Sequence, residues 1–288
     1  MKQLIVTADD FGLAPAVNEA VEQAHRRGIL SAASLMVTGP AAQDAVARAR
    51  RLPRLGVGLH LVLVDGQPVL PPSEIPALVG RDGRFHATPL RAGFRIFLSR
   101  RARAQLEREI RAQLERFRAT GLALDHVDAH HHFHLHPTVA ATLVRLAPEY
   151  GIKAVRVPYE HPLASWRAAG DRLWRRIGAW LGQGLWAAAL RRRLARAGIR
   201  SNDCVLGLSD TGIMRPDRVG RYLARLPEGV SELYVHAATT HWSGPDSWPP
   251  DYDCRREFEA LTDAGIAAGL ARQGVTPASF STLVREAA

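Results

Sequence analysis

Short apolar runs in this 288-residue chain keep ending on acids or histidines: LIVTA on Asp9 and Asp10, VGL on His60, LDHVDA on His130, and ELYV on His236. Each run has the length and composition of a buried strand. Between them lie stretches of helical period, such as Pro15 to Arg27, with Val17, Ala20, Val21 and Ala24 on one face. Strand and helix in alternation argue for a parallel sheet covered by helices. In barrels built this way the chemistry gathers at the C-terminal ends of the strands. The polar strand ends therefore point to one shared site.

The spacing predicts strands at 4–8, 33–37, 57–61, 124–129, 154–157, 204–208 and 232–236, and a poorer one in the tail VTPASF. Helices are expected at 15–27, 41–51, 137–150, 217–226 and 254–264, with Gly28 a plausible C-terminal cap of the first. A further helix ends at Gly121. It carries a buried stripe of Leu106, Ile110, Leu114 and Phe117, with Glu107 and Arg111 paired on the wet side. Residues 65–89, dense in proline and glycine, read as a long loop of functional or lid-like kind. Residues 163–200 break the rhythm, with nine arginines, one acid (Asp171) and Trp166, Trp174, Trp180 and Trp186. They read as a helical insertion within a single domain spanning 1–288.

At 47% hydrophobic the chain can bury a barrel-sized core. No 18 uncharged apolar residues follow one another and no secretion signal is visible, so the expected place is the cytoplasm. Cys204 and Cys254 are far apart and outside any CxxC spacing, which suggests neither a disulfide framework nor a zinc knuckle. The net charge of +10 favours acidic partners, yet almost all of it is arginine, and part of it reads as a solvated face. No nucleic-acid motif accompanies it, and bulk charge gives only nonspecific affinity.

Adjacent residues such as Asp9 and Asp10 point in different directions, so one can bind metal while the other handles protons. They can also serve simply as caps for the helix near Pro15. His60 alone could be a packed core residue. The segment from His126 to His136 is stronger, with six histidines and Asp128 in eleven residues. Alternation places His126, Asp128 and His130 on one face, and His132 and His134 continue it if the chain stays extended. Asp10, His60 and His130 would make a set of one carboxylate and two imidazoles with open positions for water and substrate. Asp128, His132 and His134 are candidates for the surrounding shell or for substrate contact. Arg156, at the end of the 154–157 run, could orient Asp9, and His236 could protonate a leaving amine.

With these residues in view, the chain resembles the YdjC-like sugar deacetylases, the family that includes chitooligosaccharide deacetylases. The family's TADDFG is Thr7 to Gly12, its GxGLHL is Gly56 to Leu61, and its HxDxHxHxH is His126 to His134, closed by Pro137. The strand end ELxxHP appears as Glu232 to His236, and an Arg-Glu-Leu pattern as Arg256, Glu257 and Leu261. RVPY, which contains Arg156, resembles an element of the broader polysaccharide deacetylases. The resemblance implies an α/β fold, a distorted (β/α) TIM-like barrel carrying the Arg/Trp-rich helical insertion. It also implies a metal triad of Asp10, His60 and His130, with Asp9 as base, Arg156 tuning it, and His236 as acid or transition-state stabiliser. The cofactor implied is one divalent metal ion, zinc or magnesium.

Similarity is nearest to the hopanoid-biosynthesis branch, through AASLMV, HLVLVDGQPVLPPSEIPALV and FHLHP. That branch implies an N-acetylglucosaminyl hopanoid substrate and peripheral contact with the inner membrane face. The helical face of Trp174, Ile177, Trp180 and Leu181 would meet lipid, or pack on the barrel or on a second copy in a homodimer. The chain departs from the family at Ala237, usually proline, and from the branch at Asp128 and His131. The rival readings are a soluble amino-sugar or chitooligosaccharide deacetylase, a metal phosphoesterase or amidohydrolase on a similar barrel, and a non-catalytic glycolipid-binding barrel.

Overall fold

The computed structural model describes residues 1–243 and 247–286. Its strands are β1 (Lys2–Phe11), β2 (Ala32–Leu35), β3 (Gly56–Leu61), β4 (Val127–Ala129), β5 (Cys204–Leu206), β6 (Gly229–Val235) and β7 (Thr276–Ala278). All pair in parallel in the order β4-β3-β2-β1-β6-β5. β7 lies along the first half of β1, where Gln3 to Ile5 pair with Thr276 to Ala278. The helices are α1 (Pro15–Arg27), α2 (Ala42–Ala49), α3 (Pro89–Leu98), α4 (Arg100–Arg118), α5 (Pro137–Tyr150), α6 (Pro162–Ala169), α7 (Leu173–Arg196), α8 (Pro216–Leu223), α9 (Cys254–Thr262), α10 (Ala264–Arg272) and α11 (Phe280–Arg285). β1 is buried from Leu4 to its end, as expected of a parallel strand covered on both faces.

The sheet closes into a distorted TIM-like barrel through an irregular segment. The expected strand at 154–157 forms only single bridges: Val127 of β4 donates to the Ala154 carbonyl at 3.0 Å and accepts from the Arg156 amide at 3.1 Å, while Val155 donates to the Arg200 carbonyl at 2.9 Å. Val205 of β5 donates to the Tyr159 carbonyl at 2.8 Å and completes the ring. Pro158 explains the irregularity, because it has no N–H to give to a ladder and restricts the residue before it.

Three other expectations need correction. Beyond β4 the chain does not stay extended: His130–Leu135 form a tight 3-10 turn with His131 and His132 in the left-handed region. The 65–89 loop is no free lid, because buried side chains of α4 pin it. Glu109 accepts from the Val69 and Leu70 amides, Gln105 accepts from Ala77, and Ile75 is fully buried. Gly28 does donate to the Ala24 carbonyl, but in an extended conformation. It is glycine because a Cβ there would lie 2.0 Å from the Leu261 carbonyl oxygen.

The Arg/Trp-rich stretch is α6 and α7, held to the barrel by the buried Ala168, Ala187, Leu190 and Leu194 and by one buried cation. Arg176 is 1% exposed and donates to Asp171, Asp210 and the Tyr222 hydroxyl, and Arg218 closes the same network onto Asp171 and Asp210. On the face of Trp174, Ile177, Trp180 and Leu181, Trp174 and Leu181 stand out at 80% and 64% exposed, while Ile177 is half-buried and Trp180 is 40% exposed. No helix among the described residues is long and apolar enough to cross a membrane. Replacing Arg176 with Met leaves Asp210 only Arg218 and the Tyr222 hydroxyl and breaks the buried network, at a cost of about 3 kcal/mol. Hydrogen exchange should quicken across residues 173–190 while β1 and β6 stay protected; uniform loosening of the sheet would contradict this anchoring role.

Candidate metal and active site

Asp9 and Asp10 end β1 with a change of backbone hand. Asp10 has φ 60°, in the left-handed region that Asp tolerates better than most residues. The turn sends the two carboxylates apart. Asp9 meets Arg156, whose two terminal nitrogens donate to its two oxygens at 2.7 and 2.8 Å. Asp10 faces the histidines, and its Oδ1 lies 3.2 Å from His60 Nε2 and 3.2 Å from His130 Nδ1. Separations near 3 Å are what ligands about 2.1 Å from a common ion show. That buried oxygen has no hydrogen-bond partner among the described residues. A divalent cation fits this donor set, with Asp10, His60 and His130 as the holders.

The opposite oxygen of Asp10 accepts from the Trp248 indole N–H at 2.8 Å, a contact with no signal in the sequence. Burial alone would raise the Asp10 carboxyl, but His130 and His60 outweigh it and hold it well below the usual carboxylate range. For His60 burial works toward a lower pKa, and the Asp128 and Asp10 carboxylates overcome it, so the ring sits well above the ordinary imidazole value. Asp128 Oδ1 accepts from His60 Nδ1 at 2.9 Å and thereby presents Nε2 to the site.

Behind His60 runs a buried chain of hydrogen bonds. Ser34 of β2 has one hydroxyl proton, which goes to Asp128 Oδ2 at 3.0 Å. His126 Nε2, 3.0 Å from the same hydroxyl, must therefore donate to it, and its Nδ1 donates to Asp125 at 2.9 Å. His126 is thus a buried cation, its pKa raised by Asp125 against the pull of burial. Asp125 also accepts from the Phe280 and Ser281 amides, which ties α11 to the network. The glycines of GVGLHL make the room: a Cβ at Gly58 would lie 2.4 Å from the His126 ring, and one at Gly56 2.7 Å from Asp125.

His134 turns to the Arg156 carbonyl at 2.9 Å, and burial pushes it down to about 4, so it positions Arg156 rather than substrate. His132 lines the cavity beside Tyr234, kept well below the ordinary value by burial and by Arg156. His236 reaches the same mouth, its Nε2 3.9 Å from Asp10 Oδ2, with its ring framed by Trp248 and Tyr252. Its backbone N–H donates to the buried Glu257, whose carboxyl burial pushes up to about 7. Asp9, Asp10, His60, His130 and His236 line one cavity of about 390 Å³, with Gln183 of α7 on its rim. Ser34, Asp125, Trp248 and Gln183 escaped sequence reading. A charged Asp125 beside an apolar strand was the one available clue.

The His126 pair carries a pH signature. Its raised pKa gives stability that is complete below about pH 6.5 and lost as pH climbs through the folded value; the lowered Asp125 gives stability present above about pH 4 and lost in acid. Asp125→Asn should cost about 3 kcal/mol between those limits, with the gap to wild type narrowing on either side in pH-dependent thermal unfolding. A gap constant with pH would refute the buried pair.

A model of YdjC-like proteins matches residues 3–272. A carbohydrate deacetylase of Brevibacillus brevis is 44% identical over 160 residues, which are 56% of this chain and 59% of that protein, so the match spans about three fifths of that relative. The human carbohydrate deacetylase is 31% identical over 302 residues, covering 95% of this chain and 88% of its own. A crystal structure from Enterococcus faecalis, described as a cellobiose-phosphate cleavage protein, shares the fold at a TM-score of 0.76 and 24% identity, over 98% of each chain. With a family match over nearly the whole barrel and the family's motifs gathered at one mouth, the chain belongs to the YdjC-like protein family.

Proposed function

We propose that this chain is a carbohydrate N-deacetylase that removes acetyl from an N-acetylated amino sugar, using one divalent ion, zinc or magnesium, held by Asp10, His60 and His130. The observation that carries the reading is the buried, unpartnered Asp10 Oδ1 between two imidazole nitrogens, in a cavity that Asp9 and His236 also line. The names of its relatives support the same chemistry.

When bound, the ion supplies a Lewis acid for a water molecule and for the acetamide carbonyl. Asp9, aimed by the Arg156 fork, takes the attacking water's proton and returns it to the departing nitrogen. A C–O bond forms, the amide C–N bond breaks, and acetate leaves a free amine. Burial holds His236 below the ordinary imidazole value, and a nearby cation pushes the same way. His236 is then neutral near pH 7 and serves as an N–H donor to developing charge, the stabiliser of its two expected roles.

Ala237 does not free the loop that bears His236. The His236 amide is held by Glu257, and the Ala238 amide donates to the Cys254 carbonyl at 3.2 Å, which favours a working enzyme over a merely binding barrel. The finer substrate is a lipid-linked amino sugar, an N-acetylglucosaminyl hopanoid, handled in peripheral contact with a membrane. The motif resemblance and the exposed Trp174 and Trp180 support it.

Asp9→Asn should bind the ion as wild type does while acetate release falls about 10²–10⁴-fold, whereas His130→Ala should lose both, read by calorimetry and acetate assay. An Asp9→Asn enzyme of full activity would sink the assignment. Trp248→Phe, which removes the hydrogen bond to Asp10, should weaken metal affinity about 10–100-fold, with turnover recovering at saturating metal.

A further inference from the structure

Among the described residues, eleven of the twelve large hydrophobic side chains that stand exposed lie on α3, α6 and α7; the other is Met1. Scattered exposed apolar residues need no explanation, but a set confined to three neighbouring helices does. α3 buries only Ala92 and Ile96. Its Leu90, Phe94 and Phe97, at helical spacing, form one stripe that is 60–76% exposed.

The stripe faces a groove of about 390 Å³ whose other walls are Phe133 and Leu135 of the His-rich turn and Trp186 of α7. Among the described residues no acid or arginine lines it. His131, His132 and Gln183 line both this groove and the catalytic cavity, so the two meet at the turn that presents His130. Gly93 lies along the groove. A Cβ there would meet His136 at 3.4 Å, an ordinary contact, so the position tolerates a side chain, and its glycine leaves the groove open at a cost to the helix.

We infer that this groove seats the apolar aglycone of the same molecule whose amino sugar enters the catalytic cavity. The inference rests on the amino-sugar reading for its polar half. Continuity is the argument: a charged cavity and an uncharged groove that share three residues match an amphiphile with a sugar at one end and an alkyl or alicyclic body at the other. A second copy of the chain or a bilayer would cover the helices from outside and has no need of a channel into the metal site.

The test is a ladder of methyl, octyl and dodecyl N-acetylglucosaminides, below their micelle concentrations, titrated into metal-loaded protein by tryptophan fluorescence, with acetate release followed in parallel. A fully buried methylene is worth about fourfold in affinity, so Kd should fall at least about tenfold from methyl to dodecyl. Gly93→Leu and Phe94→Ser should flatten the ladder and leave binding and turnover of the methyl glycoside unchanged. A flat ladder in the wild type overturns the inference. If Phe94 then governs self-association, the face belongs to a second copy; if it governs binding to phosphatidylglycerol vesicles, the face belongs to a bilayer. A ladder that survives both substitutions also overturns it. A steep ladder without acetate from any glycoside would sink the deacetylase reading and leave the groove standing.

Discussion

Arg156 is completely buried and meets three carboxylates from three different strands: Asp9 of β1 at 2.7 Å, Asp128 of β4 at 2.5 Å, and Glu232 of β6 at 2.8 Å. One guanidinium thus ties β4, at one end of the strand order, to β1 and β6 in its middle. Burial works against the cation, yet the three carboxylates more than offset it, and the group stays charged. Thr7 adds a hydrogen bond to Glu232, and Tyr234 offers its ring face to the guanidinium at 5.4 Å. Desolvating so many charges is tolerable only when nearly every one is paired, so this cluster sets where the neighbouring backbones can lie.

The charge count around Arg156 also explains why the mouth suits a cation. Asp9, Asp128 and Glu232 converge on a single arginine, Asp10 adds a fourth carboxylate facing His60 and His130, and Asp128 and Asp10 raise the His60 ring well above the ordinary imidazole value against the pull of burial. An ion at Asp10 and His60 would take the place of the His60 proton at Nε2, so metal binding and deprotonation of that ring are one event. The hydrogen-bond chain through Asp128, Ser34, His126 and Asp125 then keeps the other ring nitrogen committed. α11, remote in sequence, closes that chain from behind the sheet.

Polar and apolar functions divide the mouth between them. The strand ends supply the charged chemistry, and the helices beyond the His-rich turn supply an exposed apolar surface. α7 serves both sides, since its buried Arg176 locks it to Asp210 while Gln183 reaches the rim of the cavity. The N-terminal half of α7 is anchored by that ion pair and its C-terminal half by the buried Ala187, Leu190 and Leu194, which leaves Trp174 and Trp186 largely exposed.

The strands, the helices after them, the buried stripe of α4, and the gathering of Asp9, Asp10, His60, His130 and His236 at one end could all be read from the chain, because alternation of apolar runs is a local signal that parallel topology turns into convergence. The separate tasks of Asp9 and Asp10 were legible in outline, but the left-handed turn at Asp10 that divides them was not. The contributions of Ser34, Asp125, Trp248 and Glu257 are decided by contacts across tens or hundreds of residues, which no window of sequence displays. The fate of the histidine tract depended on tertiary structure as well: two left-handed residues turn His134 back to hold Arg156 and leave His132 in the cavity. Sequence determines which residues are able to do the chemistry; the closing of the barrel decides which of them touch, because burial and charge pairing exist only once distant strands share one interior.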